Sequence, residues 1–175
     1  SGVADRGHAL KPAVLAKGKK VNAASLAAAM GDALDAAVLC AYAQGFALIE
    51  AAARAEDWSY DAAEAARVWR AGCILRAKSL EAMRAALAVG PAVSSLLLAP
   101  DLAPRVAKGI AALRRTVALA ATGGVPAPCM ASVLAGFDAL ATPRLWTALV
   151  QAQRDRFGQH GFERTDKAGR FHLDG

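Results

Sequence analysis

Apolar positions recur along this chain at helical spacing, and no useful stretch alternates apolar with polar residues. The period predicts an all-α domain with almost no strand. From Asn22, a plausible N-cap, a helical pattern continues to about Ala55. That is roughly 30 residues, or ~45–50 Å, and a helix of this length needs packing partners along its course. Within it, Gly31 and Gly45 are the places where a neighbour could approach closely or the axis bend. Ser59 and Asp61 open a second helix that reaches about Arg70, and Gly72 interrupts it. A third is expected over 74–88, with Leu75, Leu80, Met83 and Leu87 on one face. Gly90-Pro91 breaks the chain, a short helix covers 92–98, and Pro100 ends it.

The next helix spans 102–122 and is closed by Gly123-Gly124. Pro126 and Pro128 sit where a first helical turn tolerates them, and that helix continues to about Ala141. A last helix begins near Thr142-Pro143 and carries Leu145, Trp146, Leu149 and Gln153 before Gly158 stops it. Beyond it the sequence is polar, punctuated by glycine and without period. The chain therefore reads as an undefined segment over 1–21, a helical domain over 22–158 and an extended tail over 159–175.

Composition sharpens this picture in two places. Alanine dominates the apolar share, which favours helix because alanine has the best intrinsic propensity. The formal charge of +6 is not spread evenly. Residues 21–143 carry ten basic and ten acidic side chains, and the surplus lies at the two ends. A neutral body with basic ends suits a small anionic partner such as a phosphorylated metabolite, and argues against a nucleic-acid surface. Cys40, Cys73 and Cys129 are scattered among apolar neighbours, which points to buried, reduced thiols and a cytoplasmic location. His8, His160 and His172 offer no ligand spacing, so no metal is expected. The uncharged stretch 36–49 is short and rich in alanine and glycine, so it reads as a buried core helix and not a membrane span.

Chemistry-bearing motifs are nearly absent. Gly123-Gly124 lies between helices with no strand before it, so no dinucleotide site is encoded, and no general acid–base pair stands out. What remains is Gln151-Ala152-Gln153-Arg154-Asp155-Arg156-Phe157-Gly158-Gln159-His160. Here a guanidinium projects from a last helical turn and an imidazole follows beyond it. Arginine suits phosphate, because it stays charged and presents a planar fork to two oxygens. Spacing alone favours a plainer arrangement, in which Arg154 pairs with Asp155 or Glu163 at the surface and His160 caps carbonyls. Tyr42 and Gln44 are expected in the core of the long helix.

Five blocks in register resemble the C-terminal domain of 6-phosphogluconate dehydrogenase. They are Ala41-Tyr42-Ala43-Gln44-Gly45-Phe46, then Val68-Trp69-Arg70-Ala71-Gly72-Cys73-Ile74-Leu75-Arg76, Leu96-Leu97-Leu98-Ala99-Pro100, Gly124-Val125-Pro126-Ala127-Pro128, and the block over 151–160. The resemblance implies a helical domain that follows an NADP-binding Rossmann domain. It also implies oxidative decarboxylation of 6-phosphogluconate to ribulose 5-phosphate, in gluconate utilization and the pentose phosphate pathway. In the family dimer the tail of one subunit reaches the other's active site, so a homodimer is implied, and Arg154 and His160 become substrate-binding residues, the arginine on the phosphate. No catalytic residue, cofactor-binding residue or metal ligand is carried over, and the isolated chain is expected to be inactive. The family usually has tyrosine at Arg156, alanine at Gln159 and threonine–tyrosine at Gly161-Phe162, departures that bear on substrate preference. The contrasting reading is a stand-alone, non-enzymatic helical module for dimerisation or metabolite binding.

Overall fold

The computed structural model describes Lys20, residues 22–89 and residues 95–173. Six helices lie among them: α1 (Ala23–Ala55), α2 (Ala62–Trp69), α3 (Leu80–Ala88), α4 (Ala103–Gly123), α5 (Pro128–Ala141) and α6 (Thr147–Gly158). Two short antiparallel strands, β1 (Phe162–Glu163) and β2 (Arg170–Phe171), follow. The fold is all-α, as expected. The chain divides into two compact units, the first ending at Ala135 and the second covering Gly136–Gly175.

The first unit is organised by α1 against α4. Helix α1 starts where the sequence places it, with Asn22 Oδ1 accepting the Ala24 N–H at 3.0 Å and so satisfying one orphan donor of the first turn. Its buried stripe of Ala33, Ala36, Ala37, Cys40, Ala43 and Phe46 keeps helical spacing. Val106, Gly109, Ile110, Leu113, Thr116 and Ala120 form the facing stripe of α4. The stretch Leu26–Ala55 is long and apolar enough to cross a membrane by length and composition. In this fold its inner face packs on α4, and its two mid-helix carboxylates are paired.

The two helices approach each other closely at Gly109. A Cβ added there would lie 2.5 Å from Ala36 Cβ and 2.6 Å from the Asp32 carbonyl oxygen, so only glycine fits. Ion pairs lie near that contact. Lys108 Nζ meets Asp32 Oδ1 at 3.0 Å, and Arg105 grips Asp35 through Nε at 3.1 Å and Nη2 at 2.6 Å. Gly31 and Gly45 do not play this part, since nothing lies within 4 Å of a Cβ built at either. A glycine's use depends on what stands opposite it, and that is not written in its own neighbourhood.

Helix α2 begins at Asp61, whose Oδ1 accepts the Ala63 and Glu64 N–H groups at 2.8 and 3.0 Å. Its Trp69 ring stacks on Phe46 of α1 with 5.0 Å between centroids, and Tyr42 stands 6.3 Å from the same ring. The expected helix over 74–88 is shorter. Gly72 adopts φ 70, residues 71–79 form turns, and α3 starts only at Leu80. The expected apolar face finds no cover here: Ile74 stands 99% exposed and Leu75 is exposed too, while Tyr42 donates its hydroxyl hydrogen to the Leu75 carbonyl.

Other expectations also change. Leu96–Leu98 is a single 3₁₀ turn capped by Ser95 Oγ, and residues 92–94 of the expected short helix lie outside the described residues. The segment 1–21, Lys20 apart, lies outside them too. Only Cys40 is buried, and burial pushes its thiol up to about 11, whereas Cys129 is exposed. Tyr42 is half-buried, but Gln44 is exposed, because the core-facing stripe of α1 passes through Ala43 and Phe46. Helix α4 ends as expected, with Gly124 in the left-handed region at φ 68.

Candidate functional site

The second unit carries the residues of interest. Helix α6 begins at Thr147 and not at Pro143: Thr142 Oγ1 donates to the Asp138 carbonyl at the end of α5, and Leu145–Trp146 then lead in through a tight turn. Adjacent helical residues point about 100° apart, so Arg154 and Asp155 diverge instead of pairing. Arg154 is exposed, and its Nη1 donates to Gln151 Oε1 at 3.0 Å. That acceptor is neutral, so the bond steadies the guanidinium without cancelling its charge. Arg156 is exposed as well.

Asp155 turns inward and is only 3% exposed. Its Oδ1 accepts the Gly161 N–H at 2.8 Å, and its Oδ2 accepts the Leu173 N–H at 2.6 Å. His172 Nδ1 stands 2.7 Å from Oδ1 and must carry the hydrogen, because a carboxylate can only accept. The Leu173 N–H is the main cause that holds the Asp155 carboxyl below its usual range, followed by the Gly161 N–H and His172, against an opposing desolvation.

A carboxyl lowered by folding contributes stability that is fully present above its ordinary value of 3.8 and is lost as pH falls through the lowered one. Protection of the tail against hydrogen exchange should therefore persist at about pH 5 and fail in more acid solution. Mass spectrometry of the peptide covering 155–173 measures this, and lost protection at about pH 5 would contradict it.

The tail has local order that its lack of period did not announce. Gln159 takes φ 51 and Gly161 φ 70, and the chain then folds into the β1–β2 hairpin, pairing Phe162 with Phe171 and Glu163 with Arg170. The reversal at the end of α6 thus falls on Gln159, whereas Gly158 makes room: a Cβ there would come within 2.7 Å of His160 Nε2. The His160 side chain is exposed against that glycine, while its carbonyl accepts from the Arg170 guanidinium, with Nε at 3.1 Å. Arg164 and Lys167 lie over the Phe171 ring at 5.3 and 5.7 Å from its centroid.

A groove lined by Gln151, Gly161, Phe162, Glu163 and Arg170 runs beside these groups. It adjoins both candidates, through Gln151 that holds Arg154 and through Gly161 that follows His160. An exposed guanidinium and imidazole beside a polar-walled groove can bind an anionic, hydroxyl-bearing ligand. They supply no paired acid and base. Among the described residues no group of three or more His, Cys, Asp or Glu side chains could hold a metal ion. The spacing argument passed over Asp155 as an organiser, although one signal was available. A carboxylate in the last turn of a helix opposes the helix dipole, so its presence there calls for specific partners.

The sequence profile described as "6-phosphogluconate dehydrogenase, C-terminal domain" matches residues 4–175. The chain belongs to this family, as its C-terminal domain. Among its relatives, chloroplastic decarboxylating 6-phosphogluconate dehydrogenase 3 of Arabidopsis thaliana is 42% identical over 143 residues, covering 82% of this chain and 29% of that protein. The NADP(+)-dependent decarboxylating 6-phosphogluconate dehydrogenase of Bacillus subtilis (strain 168) is 40% identical over 153 residues, covering 87% and 33%. The solved structure of Plasmodium falciparum 6-phosphogluconate dehydrogenase superposes with a TM-score of 0.81 at 28% identity, over 97% of this chain and 36% of that one. That enzyme is described in its apo form, with its cofactor NADP+ and with its substrate 6-phosphogluconate. This chain spans about a third of the length of the 6-phosphogluconate dehydrogenases it matches.

Proposed function

We propose that the chain is the substrate-side and dimerisation domain of an NADP-dependent 6-phosphogluconate dehydrogenase, which oxidises and decarboxylates 6-phosphogluconate to ribulose 5-phosphate in the pentose phosphate pathway. The observation that carries the reading is the exposed, charge-retaining guanidinium of Arg154, presented by a domain that matches the family along its length. Arg154 holds the substrate phosphate through charge-assisted hydrogen bonds, and His160 donates to the same substrate from the tail. A dinucleotide site of the usual kind uses a strand, a glycine turn and a helix, and among the described residues the strands are the two of the hairpin. That supports a reading in which NADP and the chemical step belong to the rest of the full-length enzyme.

A dimer is favoured by the apolar surface that one copy leaves uncovered. Trp146, Leu149 and Phe157 along α6 are 76, 74 and 83% exposed. Unpaired thiols suit a cytoplasmic protein. Neither a membrane nor a nucleic acid is proposed as a partner. The full-length protein should sediment as a dimer and reduce NADP+ with 6-phosphogluconate, releasing one CO2 for each NADPH, while this chain alone turns over nothing. A full-length protein inert towards 6-phosphogluconate, or a stable monomer, would overturn the corresponding part of the reading.

A further inference from the structure

We infer that Asp155 is the positioning residue of the substrate grip: one buried carboxylate that sets the directions of both Arg154 and His160. The inference rests on the roles proposed above for those two side chains and adds what aims them.

The geometry is specific. Asp155 directly follows Arg154, so a carboxylate drawn inward leaves its predecessor on the outer face of α6. The same carboxylate binds the N–H of Gly161, which directly follows His160, and so closes a short loop over 155–161. Within that loop the backbone is held twice more, by the Gln159 N–H on the Asp155 carbonyl at 2.7 Å and by Arg170 on the His160 carbonyl. The other carboxylate oxygen receives the Leu173 N–H, and His172 adds a donor to the first. Because these two residues directly follow β2, the hairpin is clamped at its exit as well as its entry. A lone buried carboxylate is costly, and here three donors offset that cost only while the tail stays docked. Asp155 therefore makes the grip preformed, so that binding does not have to order the tail first.

The test uses the full-length enzyme with Asp155→Asn, His160→Ala and the double variant. The amide keeps the size of the side chain but turns a donor towards N–H groups that need an acceptor. His160→Ala is the reference and should raise the Michaelis constant for 6-phosphogluconate; if it does not, the proposed site itself is wrong. Asp155→Asn should raise that constant roughly tenfold, with kcat and the Michaelis constant for NADP+ changed by less than about twofold. In the double variant the two effects should be clearly less than multiplicative, because one acts through the other.

Three results would overturn the inference while leaving the site intact: an unchanged constant for Asp155→Asn beside a raised one for His160→Ala, fully multiplicative effects, or equal losses for substrate and cofactor. Should Asp155→Asn fail to fold, His172→Phe decides, since it keeps a ring at a half-exposed position and removes one donor. A rise of about threefold is then expected, and no rise overturns the inference.

Discussion

Replacing Arg154 by alanine in the full-length enzyme should raise the Michaelis constant for 6-phosphogluconate by roughly tenfold to over a hundredfold. A charge-assisted hydrogen bond to an ionised group is worth ~1.5–3 kcal/mol, and tenfold in affinity corresponds to about 1.4 kcal/mol. The loss should appear in binding and not in a general collapse. Arg154 is exposed, and its one neighbouring acceptor, Gln151, is exposed too, so neither leaves an unsatisfied group in a core. Arg154→Lys should fall between, because it keeps the charge but loses the planar fork. The Michaelis constant for NADP+ and the melting temperature serve as controls. A normal constant for 6-phosphogluconate in Arg154→Ala would remove this residue from the site.

Substituting Gly109 should clearly destabilise the helical core. A Cβ there would meet Ala36 Cβ at 2.5 Å and the Asp32 carbonyl oxygen at 2.6 Å, both well inside contact distance. One of these atoms belongs to the backbone of α1, so relief requires the helices to move apart. That movement would loosen the nearby Lys108–Asp32 and Arg105–Asp35 pairs. Overpacking of this kind costs ~1–3 kcal/mol, and Gly109→Val should exceed Gly109→Ala. For a chain of this size that corresponds to a fall of roughly 2–12 °C in melting temperature. Gly45→Ala in the same chain is the contrast. Its site is open, and alanine is the better helix former by about 1 kcal/mol, so stability should hold or rise. Equal losses at the two glycines would refute the close approach.

Much of the architecture was legible in local signals. Asn22 and Asp61 cap the helices they were expected to cap, and Gly124 ends α4 in the left-handed conformation that glycine adopts without cost. Those features depend on a residue and its near neighbours. The stretch over 74–79 was not legible. Its apolar residues have helical spacing, yet Ile74 and Leu75 find no cover in the fold and stay exposed. The start of α6 was not legible either, because a separate turn through Leu145 and Trp146 precedes Thr147.

The candidate site divides along the same line. Arg154 and His160 emerge from the sequence because a motif in register marks them, and their residue types suit a phosphate sugar. The inward turn of Asp155, the hairpin it clamps and the glycine at the α1–α4 contact were decided only when distant segments met. Helix propensity, caps and charge act within a few residues, and the chain records them directly. The burial of a carboxylate and the closeness of two backbones depend on atoms far away in sequence, and only folding brings those atoms within reach.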